Sequence, residues 1–167
     1  MWDKFGEFDS TEELNKAAEG LKEEGDTESL KELAKENGID PEDTIDYLAG
    51  SISELATVQT AAIGKLDIEE AELKLPGNIL LHDWVNQIKT YALKDDEIAV
   101  AVRRKEKTLA GCVAKIMLKA FTNQWNVPKK ILNEAKISAN KVTFGVPSAS
   151  SVNKIIKDYY TGGKDGK

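Results

Sequence analysis

Apolar residues recur three and four positions apart along most of this chain, and strict alternation is scarce. That spacing is the helical period, so the pattern predicts a string of helices. Ser10-Thr11-Glu12-Glu13 has the form of a capping box, with the serine hydroxyl accepting a first-turn amide and Glu13 reaching back. Leu14, Ala17, Ala18 and Leu21 follow at helical spacing, and Gly25 stops this helix. Asp26 or Thr27 opens a second, with Leu30, Leu33 and Ala34 on one face and Asn37-Gly38 as a left-handed cap. Asp40 and Pro41 start a third. From Ile45 the apolar positions Leu48, Ile52, Leu55, Ala56, Ala62 and Ile63 predict about six turns ending at Gly64.

Residues 65–77 form the best internal boundary, with a short helix from Asp67 to Leu73 broken by Pro76-Gly77. Leu66, Ile68, Leu73 and Leu75 are too apolar for a flexible linker and are expected to tie two lobes together. Beyond it, Leu81, Trp84, Val85, Ile88, Tyr91 and Ala92 form one stripe. Asp95 or Asp96 caps a short helix through Ile98, Ala99 and Val102. Thr108 opens a longer one with Leu109, Cys112, Val113, Ile116, Met117, Ala120 and Phe121 facing inward. Val127-Pro128 starts another through Ile131, Leu132 and Ala135. Ser148 or Ser150 caps a last helix with Val152, Ile155, Ile156 and Tyr159 buried. Residues 141–146 carry the one credible strand signal.

The expected class is therefore all-α, eight to nine helices in two packed lobes with at most one short β element near 141–146. The expected organisation is a helical lobe over 1–64, a connecting segment over 65–77, a second helical lobe over 78–161 and a disordered tail over 162–167. Trp2, Phe5 and Phe8 are expected to clamp the N-terminus onto the core.

Charge changes this picture more than composition does. The chain has 167 residues, and its 41% hydrophobic content is that of a globular protein. The net charge of −6 hides a split: residues 1–76 carry 21 acidic and 7 basic side chains, residues 77–167 carry 8 and 16. The first lobe is thus at −14 and the second region at +8. Such asymmetry points to charged partners. No apolar run approaches the ~18 residues of a membrane span, and the opening residues lack a signal-peptide pattern. The expectation is a soluble protein of the bacterial cytoplasm.

Little in the sequence suits catalysis. The single cysteine excludes an internal disulfide or a cysteine-rich metal site. Cys112 falls on an apolar stripe and reads as a buried structural thiol, and His82, with Asn86 and Lys89 as helical companions, reads as exposed or at an edge. No calcium-loop or glycine-rich phosphate motif occurs. The protein is expected to be no enzyme and to need no cofactor or metal.

Two charged surfaces remain as candidate sites. Glu23, Glu24, Asp26, Glu28, Asp40, Glu42, Asp43 and Asp46 would form an acidic face that engages a basic groove. Several of these acids also suit helix N-termini, where each is worth ~0.3–1 kcal/mol. Arg103, Arg104, Lys105, Lys107, Lys115, Lys119, Lys129, Lys130, Lys141, Lys154 and Lys157 could together contact nucleic-acid phosphates. Asn123-Gln124-Trp125-Asn126 is a polar-aromatic helix end that could stack or hydrogen-bond, or pack its tryptophan inward.

The opening Met1–Ser10 looks like proteins of phages and integrative elements in gut Clostridia. The run from Asp95 to Ile116, in which acids and apolar residues give way to a basic Lys107-Thr108 stretch and then to Cys112 and Ile116, resembles the central motif of PcfK-like proteins. The resemblance covers residues 80–121. Some members of that group are type II anti-CRISPR proteins, inhibitors of Cas9. What this implies is a non-enzymatic inhibitor that binds Cas9 with its guide RNA and blocks target DNA binding or cleavage. The acidic lobe would meet the effector, and the basic lobe would touch DNA or RNA. The alternatives are a DNA-binding accessory or regulatory protein of a mobile element, and a homo-oligomer in which acidic and basic lobes pair.

Overall fold

The computed structural model describes residues 3–77 and 79–162. Among them the protein is all-α: nine helices and one two-stranded ribbon. The helices are α1 (Thr11–Glu23), α2 (Thr27–Glu36), α3 (Pro41–Ala49), α4 (Val58–Leu73), α5 (Leu80–Lys94), α6 (Asp96–Arg103), α7 (Leu109–Thr122), α8 (Lys129–Glu134) and α9 (Ala149–Thr161). Strands β1 (Trp125–Asn126) and β2 (Thr143–Phe144) flank α8 and pair antiparallel, Trp125 opposite Phe144. The expectations for Trp2 and for the tail from residue 163 onward lie outside the described residues.

The local signals act as their chemistry dictates. Ser10 accepts from Glu13 N at 3.1 Å, and Glu13 reaches back to Asp9 N at 3.0 Å. Asp26, Asp40, Asp95, Thr108 and Ser148 cap α2, α3, α6, α7 and α9, each holding an otherwise unpaired first-turn amide. Gly25 and Gly38 adopt left-handed backbone just past α1 and α2.

The long third helix expected over 45–64 is instead two helices. Gly50, at φ +78°, ends α3, and α4 begins only after Thr57, which caps it. The intervening chain is held off the helical path by Asn15 of α1. Its amide donates to Ala56 O at 2.9 Å and its carbonyl accepts from Ala56 N at 3.0 Å. Both backbone groups of Ala56 are thus paired, and Leu55 and Ala56 are buried. Residues 65–73 are not a separate short helix; they continue α4 to Lys74, whose φ of +46° closes it.

Two hydrophobic cores result. One gathers Leu14, Ala18, Leu30, Leu33, Tyr47 and Leu55 from α1–α3 and the following linker, with Phe5 and Phe8 packed against it. The other gathers Trp84, Val85, Ile88, Ile98, Val102, Leu109, Cys112, Ile116, Val152, Ile156 and Tyr160 from α5, α6, α7 and α9. Helix α4 serves both, since Ala61 lies in the first cluster while Ala62 and Leu66 lie in the second. Gly64 sits in mid-helix rather than ending one. A Cβ there would stand 2.2 Å from Asn37 O, and one on Gly38 would stand 2.5 Å from Gly64 O. The α2 cap therefore crosses α4 at backbone contact, which only two glycines permit.

Candidate interaction surfaces

Arg103 belongs to the basic run of the sequence, but it contacts no outside partner, because its side chain is fully buried. It stands four residues after buried Ala99 on α6, so helical period turns it toward α4. Its guanidinium donates to Ala61 O at 3.3 Å, Phe8 O at 3.1 Å and Asn37 Oδ1 at 3.2 Å. Burial lowers its pKa, opposed by Glu7, Glu69 and Asp9, and a guanidinium remains charged throughout.

A second buried cation lies beside it. Lys65 of α4 has its Nζ 2.6 Å from Glu7 Oε1 and 3.8 Å from Glu69 Oε1, and donates to Arg104 O at 2.9 Å. Glu69 accepts from Leu109 N at 2.6 Å, the first amide of α7, and burial pushes its carboxyl above the ordinary range. Asp9 accepts from Lys105 N at 2.8 Å. These charges join the N-terminal segment, α4 and the α6–α7 turn into one clamp. Sequence reasoning missed Lys65 and Glu69, although Ala61, Ala62, Lys65, Leu66 and Glu69 form an i, i+3, i+4 stripe in which opposite charges stand four apart.

The remaining basic candidates reach the surface. Arg104, Lys105, Lys115, Lys119, Lys129, Lys130, Lys141, Lys154 and Lys157 are exposed, while Lys107 is half-buried and donates to Tyr159 O at 2.7 Å. Between Lys107 and Lys157 the chain carries nine lysines and a single acid, Glu134. Lys115 and Lys119 border an open groove of about 330 Å³ between α7 and α9, shared with Leu118, Thr122, Ile155, Asp158 and Tyr159.

This basic region is also the least buried part of the described chain. Met117 and Phe121, expected to face inward, are exposed, as is Ile131. The reason is position: Cys112, Val113 and Ile116 take the side of α7 against the core, which leaves 117 and 121 on the outer side. Of twelve large hydrophobics exposed among the described residues, eight fall between Met117 and Val146. Trp125 does not pack inward either; it meets Phe144 edge-on at 6.0 Å.

The acidic set lies outside the first core. Asp26 and Asp40 are caps, and Glu28, Glu42 and Asp43 sit in first turns, so helix ends account for these five. Glu23, Glu24 and Asp46 have no such duty. Glu23 and Glu24 even stand at the C-terminal end of α1, where a negative charge opposes the helix dipole. All eight are exposed except Asp43, which is half-buried.

The two reactive side chains are accounted for by structure. Cys112 is buried and its thiol is pushed up to about 12, the opposite of an activated nucleophile. His82 is half-buried, with Nδ1 3.3 Å from Glu70 Oε1 and Nε2 3.1 Å from Pro76 O. Glu70 also pairs with Lys89, whose hydrogen bond holds the carboxyl below its usual range, so this group brackets α4 to α5. Among the described residues no helix is long and apolar enough to cross a membrane. No family model, curated protein or solved structure matches the chain.

Proposed function

We propose that this chain is a non-enzymatic inhibitor of a Cas9-type RNA-guided nuclease. It would act in the bacterial cytoplasm by binding the guide-loaded effector and blocking target DNA binding or cleavage. The observation that carries this reading is the exposed acidic face of α1–α3, in particular Glu23, Glu24 and Asp46, whose side chains serve no helix cap or ion pair among the described residues. Cas9 presents a positively charged channel for nucleic acid, and an acidic protein surface is complementary to it. The resemblance of residues 95–116 adds to this. That stretch forms α6 and the first half of α7 at the centre of the second core, so it bears on the likeness of fold rather than on the contact surface.

The test is a cleavage assay in which purified protein is titrated into guide-loaded Cas9. Inhibition should appear, weaken with salt, and be lost in the triple variant Glu23→Lys, Glu24→Lys, Asp46→Lys at unchanged melting temperature. Complete target cleavage at large molar excess of the unmodified protein rejects the reading.

A second reading, a DNA-binding accessory protein of a mobile element, is favoured by the lysine-rich stretch from 107 to 157. A gel-shift series decides it: no duplex retained at ~50 mM salt, where phosphate contacts are strongest, removes it.

A further inference from the structure

We infer that the edge formed by the end of α7 and the β1–β2 ribbon binds single-stranded nucleic acid, through base stacking on Phe121, Trp125 and Phe144. This goes beyond the inhibitor reading, since it concerns a different surface and requires no effector, and it narrows the DNA-binding reading of the 107–157 stretch to single strands held by aromatic rings.

The ribbon is built to hold aromatic rings outward. Trp125 and Phe144 are cross-strand partners, so both project from the same face, and they remain 48% and 52% exposed. Phe121, on the last turn of α7 four residues earlier, is 68% exposed. Three aromatic side chains, on the last turn of α7 and on the ribbon that packs against it, are thus about half-exposed or more, short of the burial that normally fixes such residues.

The ribbon is nonetheless held in place. Val127 N donates to Val142 O at 2.9 Å, and Thr143 Oγ1 to Gln124 Oε1 at 3.0 Å. Gly145 presses against α7 so closely that a Cβ would stand 2.1 Å from Ala120 O. The rings thus sit on a positioned element, which lowers the ordering cost of stacking on them.

The surroundings decide what covers them. Lys119 lies on the last turn of α7, Lys129 opens α8 three residues after β1, and Lys141 precedes β2 by two. Glu134 is the single acid between Lys107 and Lys157, so the charge of this stretch is complementary to an anionic partner. Asn123, Gln124 and Asn126 adjoin Trp125 and are exposed, offering amides of the kind that pair with base edges. Phosphates on lysines with bases on aromatic faces is the general recipe for single strands. A duplex hides its base faces and would use the lysines alone.

The experiment is fluorescence anisotropy with labelled 20-nucleotide DNA and RNA strands, the matching duplex and a poly-glutamate peptide, each at ~50 and ~200 mM salt. The single strands should bind, quench Trp125 fluorescence and weaken steeply with salt. Trp125→Ala with Phe144→Ala should weaken single-strand binding at least about tenfold. Because both rings are half-exposed, circular dichroism should show the double variant folded. The variant Lys129→Glu with Lys141→Glu, which touches no core residue, should also weaken binding and flatten its salt dependence. The inference is overturned if no single strand binds at the lower salt, or if duplex and single strand bind alike and the aromatic variant behaves as the parent. Binding of poly-glutamate with none of either strand would also overturn it and mark the edge as a docking site for an acidic protein. None of these outcomes depends on Cas9, so failure here leaves the cleavage assay to judge the inhibitor reading by itself.

Discussion

The acidic lobe of α1–α3 and the basic edge from α7 to β2 carry charge of opposite sign, and they use it differently. In the acidic lobe the hydrophobic positions are nearly all inside. Leu14, Leu30, Leu33, Tyr47 and Leu55 are buried, and Ile45 alone of its large apolar side chains stands well exposed among the described residues. Charge there coats a finished core. In the basic edge, Leu132 is the one buried side chain of α8, while Phe121, Trp125, Ile131, Ile137, Phe144 and Val146 face water. Charge there accompanies apolar surface that stays open to water among the described residues. Net charge alone does not separate a solvated coat from a contact surface; the apolar side chains beside it do.

The firmest way to break this comparison is at the clamp between the cores. Arg103→Met takes the donor away from buried Asn37 Oδ1 and from the Phe8 carbonyl, and removes a buried charge facing Glu7, Glu69 and Asp9. It should cost about 3–5 kcal/mol and lower the melting temperature by about 10 °C, read by calorimetry. A shift of under about 2 °C would mean the lobes do not depend on it.

Gly64→Ala places a methyl against the Asn37 carbonyl and should cost about 1–3 kcal/mol by forcing α2 from α4. Hydrogen exchange should then rise in both lobes together, and a rise confined to one would show that their coupling is weak. Leu132→Ala removes the single buried anchor of α8 and should cost about 2 kcal/mol. Its effect should be confined to amide protection over 123–148, leaving α1–α3 unchanged.

Smaller effects sharpen the contrast. Glu70 has its carboxyl held low by the Lys89 hydrogen bond, so its contribution is present above the ordinary value of 4.5 and fades as pH falls through the folded value. Glu70→Gln should lose at most about 1 kcal/mol at neutral pH and nothing at low pH, seen as a shallower acid limb in a stability profile. Trp125→Ala should change stability least, by under about 1 kcal/mol, because its ring is about half-exposed and stacks edge-on with an equally exposed Phe144. A large loss on chemical denaturation would show the ribbon to be core rather than contact surface.

The legibility of the molecule follows the range of its interactions. Caps and stripes were readable because Asp26, Asp95, Thr108 and Ser148 act on amides within three residues of themselves. The strand near 141–146 was readable from composition, but its partner at Trp125–Asn126 was not, since 16 residues lie between Asn126 and Thr143. Seven of the eight acidic candidates were legible as exposed residues, because an ionised side chain stays in water unless partners converge on it. Arg103 was not, because a run of Arg and Lys looks alike whichever way the helix is turned.

By itself, then, the sequence determined an all-α chain, most helix starts and stops, and the opposed charge of its two halves, all set by neighbours in the chain or by composition. Tertiary structure decided the rest. It broke the expected third helix through Asn15, 41 residues from Ala56. It turned Arg103 and Lys65 inward and made α4 common to both cores. It also left the aromatic ribbon uncovered. Each of these depends on which distant surface meets which, and a buried cation is tolerated only when carbonyls and carboxylates from far along the chain converge on it.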